Sequence, residues 1–340
     1  MSNYDDLKQR ERHRHLLIVE GNHEKNELMK LLLKCFPEID MKLDDIVIYE
    51  TNIYMLYQNL EKMYPDGWYE QDVNLPLLVS KKKGIEPSLD AADFTTILLI
   101  FDYERHDPNY SEEKIVQMQE YFQDETSVGK LYLNYPMVES YQHLYQIPDE
   151  GYEERYVAAS MTSGAEYKHM VSNTFIAGLI NLPIKLGEIL SDRFHVSDEE
   201  KCQRCVEDLL NLNEKETLLE KIGEILTGVV AEDSLMTAKF QMRATLEEKE
   251  HMNQGLTYYE YMKWLFRQII IHNIKKANKV QNGVYEMELQ DMKKQFFTLE
   301  LEEILKKQNN ASRDVQEGII WILNTSVFFV PEYSYDLLDA

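Results

Sequence analysis

Two apolar runs, each of strand length and each ending in carboxylates, constrain this chain more than any other feature. The first is His15-Leu16-Leu17-Ile18-Val19-Glu20-Gly21, followed at once by a helix-like segment that carries Glu24. The second is Thr96-Ile97-Leu98-Leu99-Ile100-Phe101-Asp102-Tyr103-Glu104. Near-continuous apolar runs suit parallel strands buried on both faces. In open α/β sheets, ligands sit at the carboxyl ends of such strands. Side chains two apart in an extended segment point the same way, so Asp102 and Glu104 converge if the strand geometry continues. Two unit charges about 4 Å apart repel by roughly 4 kcal/mol at an effective dielectric near 20. A cluster of Glu20, Asp102 and Glu104 is therefore costly without a divalent cation, and oxygen-only ligation suits Mg²⁺ or Mn²⁺.

The segments between and after these runs alternate in pattern. A short polar helix over residues 4–13 leads into the first strand. Asn22 to Cys35 places Leu28, Leu31, Leu32 and Leu33 at helical spacing, and Pro37 ends the segment. Asp45 to Tyr49 reads as a second strand, and Asn52 to Tyr64 as a helix stopped by Pro65-Asp66-Gly67. Residues 66–95 read as irregular and hold Lys81-Lys82-Lys83. After the second acidic strand, Ser111 is an expected N-cap for a helix reaching Phe122, and Lys130 to Leu133 is a further strand. This order predicts a parallel α/β sheet flanked by helices. Beyond residue 150 the pattern turns helical, over 165–190, 198–211, 213–230, 234–250, 256–279, 286–308 and 312–323. The final Val327 to Pro331 reads as a terminal strand or a buried tail. The expected organisation is a metal-binding catalytic domain over 1–150 and a mostly α-helical region of unassigned role over 151–340.

Charge narrows the function classes. Sixty acidic residues against 36 basic ones give a formal charge of −24. Indiscriminate nucleic-acid binding needs a positive surface, so any such activity here requires a metal, a local basic patch or a partner. No apolar run reaches the roughly 18 residues of a membrane span. Met1 to Arg14 is polar and lacks a signal-type apolar region, and the 3 cysteines form no disulfide framework, so a cytoplasmic setting is expected. Neither a P-loop nor a dinucleotide fingerprint is present.

The motif pieces resemble the Toprim catalytic domain of topoisomerases, primases, small ribonucleases and OLD-type nucleases. The matching residues are Ile18-Val19-Glu20-Gly21 and Phe101-Asp102-Tyr103-Glu104, with Glu24 at the second acidic position of the E-G-x-x-E pattern. A third piece, Asn134-Tyr135-Pro136-Met137-Val138-Glu139-Ser140-Tyr141-Gln142-His143-Leu144, is similar to the N-P-x-F-E-x-W segment of RloB-like proteins of anti-phage loci. The acidic Toprim effector of the PARIS defence system is a further similar case, in which an ATPase holds the nuclease. The resemblance spans about residues 14–145 and departs from the commoner pattern at Glu104, where aspartate is usual. It implies a Toprim-like fold, Glu20 as metal ligand or general acid/base, and Asp102 and Glu104 as metal ligands, with Mg²⁺ or Mn²⁺ as cofactor.

Each candidate also has a structural reading. Glu24 lies one helical turn after Glu20 and is either a further ligand or a carboxylate favoured by a helix N-terminus. Glu139 and His143 are four apart: one reading adds Glu139 to the metal site, the other makes them a helix-start carboxylate and a half-buried imidazole. Lys168 is a candidate to stabilise phosphate charge in a transition state, or else a solvated helix lysine. His195 with Cys202 and Cys205 lacks the second pair that a structural zinc site wants, so core or interface packing is the simpler account. The 22 tyrosines offer base-stacking surfaces but are spread through the chain as packing residues are.

The expected function is Mg²⁺-dependent phosphodiester cleavage of DNA or RNA, with transfer RNA implied only by analogy. The resemblance places it as effector of an anti-phage or abortive-infection system, in a homo-oligomer or a hetero-complex with an ATPase. The alternative is an acidic, non-enzymatic interaction protein that mimics nucleic acid or docks on a basic partner, with vestigial Toprim acids.

Overall fold

The computed structural model describes residues 15–22, 24–161 and 164–339. The helix expected over 4–13 lies outside them. At the centre is a mostly parallel sheet whose strands are β1 (His15–Val19), β2 (Ile46–Ile48), β3 (Thr96–Asp102), β4 (Gln123–Asp124) and β5 (Gly129–Tyr135). Their spatial order is β2-β1-β3-β5-β4. β1 runs parallel to both β2 and β3, with Val19 opposite Ile48 on one side and Ile100 on the other. β3 runs parallel to β5, Asp102 lying opposite Asn134. Leu16, Leu17, Ile18, Val19 and Leu99 are fully buried, as their unbroken apolar runs require. Removing one such side chain, as in Leu17→Ala, costs about 2–5 kcal/mol.

Local chemistry explains the helices that cover this sheet. A π-helical turn, Glu24–Met29, leads into α1 (Lys30–Cys35). Asn52 caps α2 (Ile53–Met63) by accepting the Met55 N–H at 3.1 Å. The region read as irregular contains α3 (Leu75–Lys83), a correction to the expectation for 66–95. Its signals are local: Asn74 accepts the Leu77 N–H at 3.0 Å, Pro76 sits in the first turn, and Gly84 ends it at φ +65°. The three lysines therefore occupy a last helical turn and not a loop, where Lys82 donates to the Tyr49 carbonyl and Lys83 pairs with Glu50. Ser111 caps α4 (Glu112–Tyr121) as expected.

The chain does not divide at residue 150. One unit comprises residues 1–171 and 269–340, the other residues 172–268. The first is discontinuous because the last part of the chain returns to the sheet. It contains β6 (Tyr156–Ala158) and α5 (Gly164–Val171) from the middle of the chain. The second unit is helical: α6 (Phe175–Ile180), α7 (Leu182–Glu188), α8 (Glu199–Leu210), α9 (Leu218–Leu226), α10 (Leu235–Glu247) and α11 (Glu250–Asn253). In it α8 buries Cys205, Val206, Leu209 and Leu210 along one face, while α9 buries Leu218, Ile222 and Leu226. Cys205 is thus a core residue, and burial pushes its thiol up to about 12. The helix α12 (Tyr258–Asn282) contributes residues to both units.

The remainder belongs to the first unit: α13 (Leu289–Phe296), α14 (Leu301–Ser312), β7 (Ile319–Trp321), β8 (Leu323–Asn324) and α15 (Phe329–Tyr333). The helix expected over 312–323 is therefore a helix end followed by two strands, and of the two readings for 327–331 the buried tail holds, in helical form, and the terminal strand does not. β7 pairs antiparallel with β6, and β8 pairs antiparallel with β5 through Asn134–Asn324 and Tyr135–Leu323. That pairing protects the part of the β5 edge that β4 leaves open. The fully buried Lys276 of α12 stitches the middle of the chain to this layer by donating to the carbonyls of Tyr152, Glu153 and Arg155 at 2.9, 2.6 and 2.9 Å. No described helix is long and apolar enough to cross a membrane.

Candidate active site

Topology selects one crevice. The connection out of β1 leads to β2 on one side, whereas the connection out of β3 leads to β5 on the other. The carboxyl ends of β1 and β3 therefore flank the point where the winding reverses, the usual ligand position in an open α/β sheet. Glu20 follows β1 directly and Asp102 ends β3.

The two acids are held by backbone bonds. The Glu20 carbonyl accepts the Glu50 N–H at 2.9 Å, and its side-chain Oε2 accepts the Asp102 N–H at 3.3 Å. Asp102 is buried, and its Oδ1 accepts the Val138 N–H at 2.8 Å. Glu24 is buried in the first turn after β1, with Oε2 accepting the Gly21 N–H at 2.9 Å. It thus braces the turn through this bond and adds its charge to that around Asp102. Gly21 is not in the left-handed region, and its contribution here is this N–H.

Glu139 reaches the cluster from the 3₁₀ turn Val138–Gln142, is almost wholly buried, and pairs with the Lys168 ammonium at 2.9 Å. Lys168 comes from α5, whose first residue, Gly164, packs against Met137: a Cβ there would lie 3.1 Å from the Met137 methyl. Asn324 holds the Glu139 turn, donating to the Val138 carbonyl at 2.7 Å and to Ser140 Oγ at 3.2 Å.

Glu104 does not continue the strand. β3 ends at Asp102, and Glu104 sits at φ +38°, so the extended geometry that aligns Asp102 with Glu104 stops short. Asn52 fixes the new direction, its Nδ2 donating to Glu104 Oε2 at 3.1 Å and to Asp107 at 2.6 Å. Tyr54 pins the same segment through the Tyr103 carbonyl at 2.8 Å.

Electrostatics unite these groups. Burial, then Glu104 and Glu24, push the Glu20 carboxyl up to about 8. Burial also raises Asp102 well above the carboxylate range, with Glu20, Glu24, Glu139 and Glu104 adding to it in that order. Lys168 loses some basicity to burial, but Glu139, Asp102 and Glu24 outweigh that and hold it above its usual value. Five carboxylates thus share one ammonium among the predicted site residues.

An oxygen-only, carboxylate-rich set is what a hard divalent cation takes, and Glu20, Glu24, Asp102, Glu104 and Glu139 are the residues that would hold it. Among the described residues, however, no three His, Cys, Asp or Glu side chains converge as a metal-binding group. The donor chemistry fits while the carboxylates stand apart from a common ligation point.

His143 is not part of the cluster's chemistry. It is buried, with Nδ1 against the Tyr167 hydroxyl and Nε2 against that of Tyr145, both at 3.1 Å. Burial, with the Arg155 charge, pulls it down to about 4, and the imidazole is wholly rather than half buried. Residues that sequence reasoning missed include Asn52, Asn324 and the Arg105-His106 pair after Glu104. Arg105 and His106 line a narrow cleft with Glu104, Met137, Gly164 and Tyr167, of about 20 Å³. That is room for about one water. The sequence signal for the pair was its adjacency to Glu104; for Asn324 there was none.

Comparison with protein-family models, with curated proteins and with solved structures finds no match to this chain.

Proposed function

We propose that this chain is a divalent-cation-dependent nuclease of the Toprim type, cleaving phosphodiesters in DNA or RNA. The observation that carries the reading is the meeting of Glu20 and Asp102 at the sheet's reversal point, with Glu24, Glu104 and Glu139 around them. When bound, Mg²⁺ or Mn²⁺ would polarise the scissile phosphate and make hydroxide available near neutral pH. Glu20, with a carboxyl that titrates near working pH, suits proton transfer at the reacting oxygens. Asp102, anchored by the Val138 N–H, is a fixed ligand, and Lys168 offers its ammonium to phosphate charge. Arg105 supplies a local positive group of the kind an acidic chain needs beside a phosphate backbone.

The motif resemblance extends the proposal to an effector of anti-phage defence or abortive infection, held silent by a partner ATPase, with transfer RNA as one substrate. The test is expression in a bacterial host of the wild type beside Glu20→Ala and Asp102→Ala, scoring growth with DNA and transfer-RNA integrity. Toxicity with cleavage that both substitutions abolish is the expected result. Cleavage that survives Asp102→Ala removes the mechanism.

Two observations favour a second reading. The carboxylates do not converge as a ligand set among the described residues, and the chain carries a charge of −24. Those features suit an acidic interaction protein docking on a basic partner. Divalent cations that leave the melting temperature of wild type and Asp102→Ala equally unchanged would favour it.

A further inference from the structure

Away from the acidic crevice, the first unit contains a cavity of about 320 Å³ between α4, the start of α14 and the segment leading through α15. That volume is within the range of small-ligand pockets. Its walls include Gln119, Lys130, Phe296, Phe328, Glu300 and Glu302. Phe296 and Phe328 meet edge to face at a centroid distance of 5.7 Å and form an aromatic wall.

Gln119 makes the cavity specific. Its side chain is 1% exposed, and its Nε2 donates to the Leu131 carbonyl at 3.0 Å. That bond fixes the amide's orientation, because a flipped amide would set two acceptor oxygens against each other. The other end, Oε1, is buried and has no hydrogen-bond partner. A buried acceptor left unmet costs about 1–3 kcal/mol, so the position calls for a donor from a ligand or an ordered water.

The remaining charges decide what kind of donor. Lys130, the ammonium in the wall, is bound at 2.8 Å to Glu332, which also lines the cavity. Glu302 pairs with Lys306 and accepts from Gln123 at 3.1 Å, and Glu300 presents an exposed carboxylate at the rim. With Lys130 on Glu332 and Lys306 on Glu302, the third carboxylate, Glu300, leaves the lining negative and richer in acceptors than in donors. A group that offers several N–H donors, carries positive charge and stacks on an aromatic wall satisfies all three conditions. Guanidinium is that group, since it is planar and weakly hydrated.

We propose that this cavity is a binding site for a guanidinium group, either the side chain of an arginine on a partner protein or a free guanidino compound. The inference is independent of the nuclease reading, since none of these residues belongs to the acidic crevice.

Calorimetric titration of the full chain tests it, with N-acetyl-arginine methylamide, free L-arginine and the uncharged N-acetyl-citrulline methylamide as probes. Saturable binding of an arginine probe is expected, with the citrulline analogue at least about tenfold weaker. Gln119→Leu and the rim substitution Glu300→Gln should each weaken the arginine probes, and the second is at an exposed position that folding tolerates. Tighter binding of the capped residue points to a partner's side chain, and tighter binding of free arginine to a small metabolite; either supports the site. Equal affinity for arginine and citrulline analogues, unchanged affinity in both variants, or no saturable binding would overturn it.

Discussion

The Lys168 ammonium lies 2.9 Å from a carboxylate oxygen of Glu139, a half-exposed lysine against an almost wholly buried acid. Removing the lysine takes a positive charge from a buried carboxylate that repels Asp102. Lys168→Met is expected to lower stability by about 1–3 kcal/mol and cleavage by about a hundredfold. Lys168→Arg, which keeps the charge, should recover most of the stability. Urea unfolding and single-turnover cleavage rates separate the two effects. A Lys168→Met protein as active and as stable as the wild type would leave the lysine a solvated helix residue.

Stability should depend on pH through Glu20. Its folded-state carboxyl is raised to about 8 by burial and then by Glu104 and Glu24, against an unfolded value near 4.5. Between those values the folded protein binds the extra proton. Without divalent cations, the contribution is therefore full below the unfolded value and lost as pH rises through about 8. Glu20→Gln mimics the protonated form and removes Glu20's share of the dependence, leaving that of the raised Asp102 carboxyl. Melting temperatures in EDTA from pH 5 to 8.5 should thus show the variant gaining on the wild type as pH rises. A difference that stays constant across that range would contradict the assignment.

Divalent cations should reverse that penalty. At a concentration of about one hundred times Kd, a ligand specific for the folded state adds roughly 2.7 kcal/mol. Mg²⁺ or Mn²⁺ at pH 7.5 should raise the wild-type melting temperature by several degrees, and Asp102→Ala should abolish the shift. Ca²⁺ is a useful comparison, because it accepts a looser set of oxygen ligands. A shift that persists undiminished in Asp102→Ala places the cation elsewhere on this acidic surface.

Asn324 is expected to act at a distance from any cation. Its amide holds the Val138 carbonyl and the Ser140 hydroxyl, and its backbone N–H donates to Asn273 Oδ1 at 2.7 Å. Asn324→Ala leaves buried acceptors unmet and frees the turn that carries Glu139. A loss of about 2 kcal/mol is expected in chemical denaturation, together with a weaker Mg²⁺ thermal shift. Loss of stability with an unchanged shift would confine Asn324 to a structural role.

The amino-acid sequence by itself determined the features that depend on near neighbours. The runs at Leu16–Val19 and Ile97–Phe101 had to be buried strands, and Asn52 and Ser111 marked helix starts because a short polar side chain can reach the N–H groups just after it. The acids at Glu20 and Asp102 were legible for the same reason: they end those strands. α3 was missed although Asn74, Pro76 and Gly84 announce it, because its buried residues are nearly consecutive and hide the helical period. The run around Ile319–Trp321 was read as helix because a short apolar run has no period to separate helix from strand.

Tertiary structure alone decided the rest. It turned Glu104 out of the strand through a left-handed backbone and an Asn52 bond that spans 52 positions. It brought Glu139 and Lys168 together from different elements, and it returned Leu323–Asn324 to the open edge of β5. Such contacts leave no periodic trace in the chain. They arise because a sheet edge and a buried carboxylate each need a partner, and only the folded backbone determines which distant residue is within reach.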